Sequence, residues 1–256
     1  MRDTVNARFR ARVKRCEPLL GTVLSFPSPE IAEVMAAAGF DWLFIDLEHG
    51  QLDFATAQRM VQAAGDCPCI ARVPTGHAAE IGKALDTGAA GVIVPHVNGA
   101  REAAAAARAG KYPPDGDRSI GAARAQGYGR RLAEEVASAN AETLVVPQVE
   151  HVDAVRAIDG IAGAPGTGAI FIGPFDLSAS LNKPGAISDP EVTASIATVV
   201  DACRRSGMPC GIFVVDAAGA RDAFAAGHSL VCLSTDSIIL GRAAAVLVNE
   251  SRSRST

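Results

Sequence analysis

Two carboxylates and an imidazole follow directly on an apolar run in the segment FIDLEHG, residues 44–50. Histidine is the side chain whose ordinary pKa lies near neutrality, so it is the natural carrier of a proton in a catalytic site. We therefore interpret His49 as a proton carrier and Asp46 as its support, or as a support for metal-bound water. Glu48 we interpret as a structural residue that faces a helix.

Polar residues also lie at the ends of other apolar runs. They are Arg72 in CIARVP, Gln148 and Glu150 in TLVVPQVE, and Asp176 in AIFIGPFD. Two carboxylates held together repel each other unless they are protonated or bridged by a cation. Oxygen ligands completed by water suit Mg²⁺ or Mn²⁺, with Co²⁺ and Zn²⁺ as alternatives. Glu150 and Asp176 are therefore candidate metal ligands, and Arg72 is a candidate for stabilising an oxyanion.

Each of these residues also has a purely structural interpretation. A carboxylate at a strand end often caps the next helix, which applies to Asp176, or bonds backbone amides, which applies to Glu150. Arg72 has the alternative of pairing with a buried carboxylate. The other histidines we interpret as structural or solvent-facing: His77, His96, His151 and His228. Among them His96 is the next candidate for a base, because it lies near a strand end.

Short β-branched runs alternate with alanine-rich stretches at helical spacing along the chain. Near-continuous apolar runs are typical of parallel strands buried on both faces. Eight runs, each followed by a helical stretch, predict a single (β/α)8 barrel over residues 19–249. An open doubly wound sheet is the alternative, but no GxGxxG fingerprint follows the first strand. The predicted strands are 19–26, 42–48, 69–74, 91–97, 143–150, 169–176, 210–215 and 230–236.

Such a barrel explains why residues far apart in sequence belong together, because active sites form at the C-terminal ends of its strands. The polar residues named above then converge on one mouth. Outside the repeating units, residues 1–18 are predicted to form a basic N-terminal arm and residues 250–256 a disordered tail. Residues 111–142 add a Pro/Gly-rich loop and an extra helical stretch, which is typical of a functional insertion.

The composition of the chain limits the kinds of partner that we expect. The net charge is −4, from 24 basic and 28 acidic residues, which argues against a nucleic-acid partner. No stretch reaches the ~18 apolar residues of a membrane span, so we expect no membrane partner. The six cysteines lack the CxxC spacing of a redox or zinc site. We therefore expect reduced thiols and a cytoplasmic protein.

Six stretches carry a family resemblance: GFDWLFIDLEHG (39–50), ARVP (71–74), LDTGAAGVIVPHV (85–97), RSIGAARAQGYG (118–129), PQVE (147–150) and FIGPFDLS (171–178). They resemble the HpcH/HpaI family of class II pyruvate aldolases, which are metal-dependent lyases on a (β/α)8 barrel. The resemblance runs from about residue 19 to about residue 248. It implies cleavage of a 4-hydroxy-2-oxo acid to pyruvate and an aldehyde, similar to the 4-hydroxy-2-oxoheptanedioate and 2-keto-3-deoxy-sugar-acid aldolases.

The resemblance implies a role for each matching residue. Glu150 and Asp176 match the carboxylates that hold the divalent metal, and His49 matches the catalytic base. Arg72 matches the arginine that stabilises the enolate, and Asp86 matches the carboxylate credited with raising the basicity of the histidine. The groups that match those holding the pyruvate carboxylate and carbonyl are Gln148 and the main chain of Gly173, Pro174, Phe175 and Asp176.

The resemblance also implies a homohexamer whose subunits exchange their last helix, residues 237–249. The sequence departs from the family pattern at two positions. Phe175 stands where a small residue is usual, so its ring is expected to narrow the pyruvate end of the site. Asn182 stands where glycine is more often found, which affects the loop on the aldehyde side.

Other functions remain open. The same enolate serves decarboxylation of oxaloacetate or cleavage of an acyl-CoA-type substrate, and a barrel that only binds a 2-oxo acid is a third alternative. An intact His49 argues against the last, because binding alone needs no base. Lys83 and Lys111 fall in a helix and a loop, so no strand-end lysine is placed to form a Schiff base.

Overall fold

The computed structural model describes residues 4–252, and eight strands in that range form one closed parallel barrel. The strands are β1 (Leu19–Leu24), β2 (Trp42–Asp46), β3 (Cys69–Arg72), β4 (Gly91–Val94), β5 (Leu144–Val149), β6 (Ile170–Ile172), β7 (Cys210–Val214) and β8 (Leu230–Thr235). Each strand pairs with its neighbour along the chain, and β8 pairs with β1. The prediction of a single (β/α)8 barrel is confirmed.

Helices alternate with the strands and cover the barrel. They are α1 (Val5–Lys14), α2 (Pro29–Ala37), α3 (Phe54–Ala63), α4 (Ala78–Asp86), α5 (Ala100–Ala109), α6 (Leu132–Glu142), α7 (Val152–Arg156), α8 (Ile158–Ala162), α9 (Pro174–Ser180), α10 (Pro190–Ser206), α11 (Ala217–Ala226) and α12 (Asp236–Arg252). Helix α9 begins inside the run predicted as the sixth strand, because Pro174 suits the first turn of a helix. The strand β6 is correspondingly short.

The barrel is filled by its own side chains. Trp42, Phe44 and Phe171 form a ring cluster inside it, with centroids 5.6–6.4 Å apart. Gly21 on β1 faces the Trp42 ring, and a Cβ at this position would overlap the ring. A glycine is therefore required here for the large indole to pack across the barrel. A second apolar layer lies between the strands and the surrounding helices.

Helix α1 packs against the N-terminal end of the barrel. Its Phe9 and Val13 are buried in the same cluster as Leu19, Trp42 and Leu230. The helix lies within the segment predicted only as a basic arm, residues 1–18, of which residues 1–3 lie outside the described range. Two apolar residues four positions apart place one apolar stripe on an otherwise charged helix, and that stripe covers the barrel.

The first residue of helix α12 connects the segments that follow the first and last strands of the barrel. The Asp236 carboxylate is fully buried and accepts hydrogen bonds from the Ser25 and Phe26 backbone N–H groups at 3.0–3.1 Å. It also accepts a bond of 2.6 Å from the Ser25 hydroxyl. Asp236, which ends the eighth predicted strand, is therefore a structural clamp and not part of the mouth.

The remainder of α12 projects from the barrel. All residues from position 240 to 252 are exposed. Large apolar side chains are among them: Leu240, Val246, Leu247 and Val248. The helix extends to Arg252, beyond the start of the tail predicted at 250, and residues 253–256 lie outside the described range. Among the helices of residues 4–252, none is both long and apolar enough to cross a membrane.

His228 is a buried histidine two positions before the start of β8, and its burial leads to a prediction for stability. Burial lowers the pKa of His228 to about 4 from an ordinary value of 6.5. Its Nδ1 has no hydrogen-bond partner within the described residues. The unfolded chain therefore binds a proton at His228 more readily than the folded chain does. The contribution of neutral His228 to the free energy of unfolding is fully present above pH 6.5 and is lost as the pH falls toward 4.

We expect His228→Leu to flatten the pH dependence of the free energy of unfolding between pH 6.5 and 4, by up to about 3 kcal/mol. Leucine fills the site without a titrating group. Urea unfolding of both proteins at pH 7 and pH 4 measures the effect. His77→Leu, at an exposed histidine, is the matched control and should leave the pH dependence unchanged. Equal pH dependence in wild type and His228→Leu would contradict the prediction.

Candidate active site

The C-terminal ends of the strands surround a cavity of about 410 Å³. Most of the predicted site residues line it: Asp46, His49, Arg72, Gln148, Gly173, Pro174, Phe175 and Asp176. They come from β2, β3, β5, the end of β6 and α9, because the closed barrel turns these strand ends toward one axis. The structure thus brings together residues that are separated by up to 130 positions in the sequence.

Asp46 and Arg72 form an ion pair across two neighbouring strands. They occupy paired positions of β2 and β3. Arg72 donates from Nε to Asp46 Oδ1 at 2.9 Å and from Nη2 to Oδ2 at 2.7 Å. The guanidinium also lies 5.2 Å from the centre of the Phe44 ring. This bidentate bond fixes the direction of the guanidinium at the floor of the cavity.

Asp46 also shapes the turn that follows its strand. Its Oδ1 accepts hydrogen bonds from the backbone N–H groups of Glu48 at 3.1 Å and His49 at 3.2 Å. The His49 ring lies at the rim with 65% of its side chain exposed. Asp46 therefore supports His49 through the backbone, and not by contact with the ring.

Glu48 faces into the mouth, so the interpretation of this residue as structural and facing a helix was wrong. Its Oε2 lies 3.1 Å from Arg72 Nε and 3.8 Å from His49 Nε2, and its Oε1 lies 3.2 Å from His96 Nε2. Burial raises the pKa of Glu48 against the opposing effect of Arg72, and the nearby Glu150 carboxylate adds to the rise. Glu48 lies in the turn after β2, where the two-residue alternation of a strand no longer applies, so no sequence pattern indicated this direction.

Glu150 is buried and held on both of its oxygens. Gln148 donates from Nε2 to Glu150 Oε2, and the backbone N–H of His96 donates to Oε1 at 2.6 Å. The Oε1 of Gln148 has no hydrogen-bond partner among the described residues. A Cβ added at Gly173 would lie 3.1–3.2 Å from Glu150 and Gln148 atoms, so glycine keeps this approach open.

Asp176 lies in the first turn of α9 and lines the cavity with an exposed side chain. Gly173 is the N-cap of this helix, so Asp176 does not cap it. Within residues 4–252 its carboxylate has no hydrogen-bond or ion-pair partner. The oxygen atoms of this carboxylate are therefore available to a cation.

This donor set fits Mg²⁺ or Mn²⁺. No group of three or more His, Cys, Asp or Glu residues in the described part of the chain is arranged to hold a metal ion. Mg²⁺ typically takes one or two protein carboxylates and completes its shell with water and substrate, which matches Glu150 and Asp176.

Asp86 does not lie at this mouth. It ends α4, at the end of the barrel where the following strand begins, and its carboxylate accepts bonds from Arg118 at 2.8 Å and Gln126 at 3.2 Å. Arg118 and Gly88 line a separate cavity of about 660 Å³ that also involves α1. Within one chain, Asp86 therefore makes no contact with His49.

The two departures from the family pattern have structural explanations. Phe175 is 41% exposed and packs against Phe213, with ring centres 6.0 Å apart, so it forms an apolar side of the cavity. Asn182 has a φ of +59°, a left-handed conformation that glycine adopts most readily and asparagine tolerates. Asparagine thus retains the backbone turn that glycine would make.

Lys111 is buried and donates hydrogen bonds to the backbone carbonyls of Asn140 and Thr143, directly before β5 begins. Burial lowers the pKa of Lys111 to about 8. The amine is therefore at the N-terminal end of the barrel and not at the mouth, which agrees with the argument against a Schiff base.

The cavity at the strand ends of this parallel (β/α)8 barrel is lined by an arginine, a histidine and acidic side chains. This arrangement is typical of an enzyme active site. The profile of the HpcH/HpaI aldolase/citrate lyase family matches residues 22–243. The chain belongs to this family.

Relatives of known name agree with this assignment. The hydroxypyruvate/pyruvate aldolase of Paraburkholderia phytofirmans is 37% identical, over 98% of this chain and 100% of its own. The 4-hydroxy-2-oxo-heptane-1,7-dioate aldolase of Escherichia coli is 34% identical, over 93% of this chain and 92% of its own. A solved structure of an HpcH/HpaI aldolase/citrate lyase family protein from Burkholderia cenocepacia superposes with a TM-score of 0.93 at 35% identity, covering 96% of this chain and 100% of the other.

Proposed function

We propose that this protein is a metal-dependent carbon–carbon lyase that cleaves a 4-hydroxy-2-oxo acid to pyruvate and an aldehyde, and that catalyses the reverse aldol addition. The observation that carries the proposal is the common cavity of Arg72, His49, Gln148 and the free Asp176 carboxylate, with Glu150 held beside it. Two relatives are named as aldolases, one for hydroxypyruvate/pyruvate and one for 4-hydroxy-2-oxo-heptane-1,7-dioate.

The family typically depends on a divalent metal. Glu150 and Asp176 would hold it here, and Mg²⁺ or Mn²⁺ is the proposed ion. When bound, such an ion supplies positive charge to the carboxylate and keto oxygens of a 2-oxo acid. Gln148 and the main-chain N–H groups of Phe175 and Asp176 would orient the substrate carboxylate, since the first N–H groups of a helix have no partner within it.

The reaction is carried by His49 and Arg72. His49 takes the proton of the C4 hydroxyl, the C3–C4 bond breaks, and C4 leaves as the aldehyde carbon. The electron pair of the broken bond becomes the enolate of pyruvate, whose C3 then takes a proton from solvent, while His49 releases to solvent the proton that it accepted. Arg72 faces the negative charge that develops on the enolate oxygen, and its rigid bond to Asp46 means that little reorganisation is needed.

The alternative functions differ in what they ask of His49. Decarboxylation of oxaloacetate passes through the same enolate but has no C4 hydroxyl to deprotonate. A barrel that only binds a 2-oxo acid needs no base at all. Neither alternative is favoured, because His49 stands at the rim of the cavity and the relatives are named aldolases.

We propose a cytoplasmic homo-oligomer, with the homohexamer as the family arrangement. The six cysteines are all free thiols, as expected in a reducing compartment. The exposed apolar residues of α12 support its exchange between subunits, because an unpartnered apolar helix is unfavourable in water. If Asp86 supports His49, it must do so from a neighbouring copy, since the two residues make no contact within one chain.

Chelation should inactivate the enzyme, and Mg²⁺ or Mn²⁺ should restore it. Glu150→Gln and Asp176→Asn should each abolish turnover without unfolding the protein, because each removes one of the two negative ligands. Asp222→Asn, at an exposed acid of α11, is the control and should retain activity. Steady-state cleavage measures turnover, and circular dichroism measures whether the protein is folded. Full turnover in excess EDTA, with no metal found by elemental analysis, would refute the metal role.

His49→Ala should lower kcat for cleavage by roughly 10²–10⁴, the usual contribution of a positioned base. It should leave pyruvate binding nearly unchanged, because the base acts on the aldehyde side. Arg72→Ala should also slow the exchange of pyruvate methyl protons with deuterated solvent, which passes through the same enolate. Arg72→Lys should recover this exchange only in part, because an ammonium lacks the guanidinium fork. Ordinary cleavage by His49→Ala would show that the base lies elsewhere.

Mixed oligomers test the location of Asp86. Co-expression of His49→Ala with Asp86→Asn should restore about a quarter of the wild-type activity, if each site takes His49 from one subunit and Asp86 from the next. His49→Ala with Arg72→Ala is the control and should stay inactive, because those two residues share one mouth. No recovery in the first mixture would assign Asp86 to the structural pair with Arg118 alone.

A further inference from the structure

His96 has a left-handed backbone conformation, which is uncommon for residues other than glycine. It lies two positions beyond the end of β4, and its φ is +57°. A side chain with a Cβ is strained in this left-handed region, and strain of this kind persists only where surrounding contacts hold the residue in place. The contacts of His96 therefore show what the conformation achieves.

The first of these contacts is made by the backbone. The left-handed turn directs the His96 N–H at Glu150 Oε1, and the distance of 2.6 Å is that of a strong hydrogen bond to a carboxylate. Gln148 holds the other oxygen of Glu150 from the opposite side of the carboxylate. Glu150 is thereby fixed in rotation, although it comes from a different strand unit than His96.

The ring makes the other contacts, and it lies between two carboxylates. Its Nδ1 is 3.2 Å from Glu150 Oε1, and its Nε2 is 3.2 Å from Glu48 Oε1. Both carboxylates are almost fully buried, with 3% and 10% of their side chains exposed, whereas the ring is 69% exposed. The ring therefore contacts both carboxylates at once and occupies the space between them.

Glu48 extends this set of contacts toward the reacting groups. Its second oxygen lies 3.1 Å from Arg72 Nε and 3.8 Å from His49 Nε2. His96 itself is not among the residues that line the cavity. Because both of its ring nitrogens face carboxylates, His96 acts on Glu150 and Glu48, and not on a substrate atom.

We propose that His96 is a positioning residue of the aldolase site, which sets the Glu150 carboxylate for the divalent cation and holds Glu48 apart from it. This inference rests on the proposed function, because it assumes that Glu150 is a metal ligand. Residues that orient a metal ligand typically change metal affinity by 10–100-fold when they are replaced.

Two variants separate the ring from the backbone strain. His96→Asn retains the backbone N–H and tolerates a positive φ, but its short side chain does not span the two carboxylates. His96→Gly retains the N–H and removes the strain, so the metal-free protein should melt at the same temperature as wild type or higher. His77→Asn, at an exposed histidine far along the chain from both carboxylates, is the control.

The measurement is the Kd for Mn²⁺ of the metal-stripped full chain, followed by electron paramagnetic resonance of free Mn²⁺, with the Tm of the metal-free protein by calorimetry. We expect His96→Asn and His96→Gly to weaken Mn²⁺ binding by about 10–100-fold with no loss in Tm, and His77→Asn to match wild type. Wild-type affinity in both variants would overturn the inference and leave the proposed function standing.

A drop in affinity accompanied by a fall in Tm of the metal-free variants would assign His96 a structural role and would also overturn the inference. If wild type itself bound no Mn²⁺ and showed no turnover with any divalent ion, the proposed function would fail and the inference with it. The wild-type titration therefore distinguishes the two failures.

Discussion

Asp46 and Arg72 are paired residues of adjacent parallel strands, and their two hydrogen bonds connect the register of the barrel to the geometry of its mouth. A shift of one residue between β2 and β3 would turn one of the two side chains to the helix layer. The same Asp46 carboxylate holds the turn that carries Glu48 and His49. The direction of the guanidinium and the position of the rim histidine therefore depend on one carboxylate.

The mouth concentrates negative charge that the chain balances only in part. Asp46 and Glu150 are buried, whereas Glu48 and the single cation among them, Arg72, are partly buried, with 10% and 12% of their side chains exposed. Asp176 adds a further carboxylate without a partner in the described chain. Such a surplus is unfavourable for folding, since burying a charge without a partner has a large cost. The surplus is explained if the site is built to receive a cation together with an anionic substrate.

The sequence predicts most of the architecture, because parallel strands buried on both faces must be apolar along their whole length. It also locates the strand-end residues that line the cavity. It does not predict the inward direction of Glu48, because Glu48 lies in a turn whose dihedral angles are set by Asp46. Nor does it predict that His96 adopts a left-handed conformation, which depends on Glu150 from a distant strand.

Helix α1 was not predicted from the sequence, for a related reason. Its apolar content is small, and the surface that it covers exists only after the barrel closes. Asp86 was assigned from a family resemblance, which transfers a role but not the position of the residue in the fold. In both cases the missing information concerns packing between segments that are distant in the sequence.

The packing of α1 has a consequence for co-translational folding. Phe9 and Val13 belong to the same buried cluster as Leu230 of β8. The clamp between Ser25 and Asp236 likewise joins positions 211 residues apart. The apolar side chains of α1 therefore cannot be buried in this cluster until β8 has been translated. Closure of this barrel is a highly non-local event, because α1 and β8 must meet.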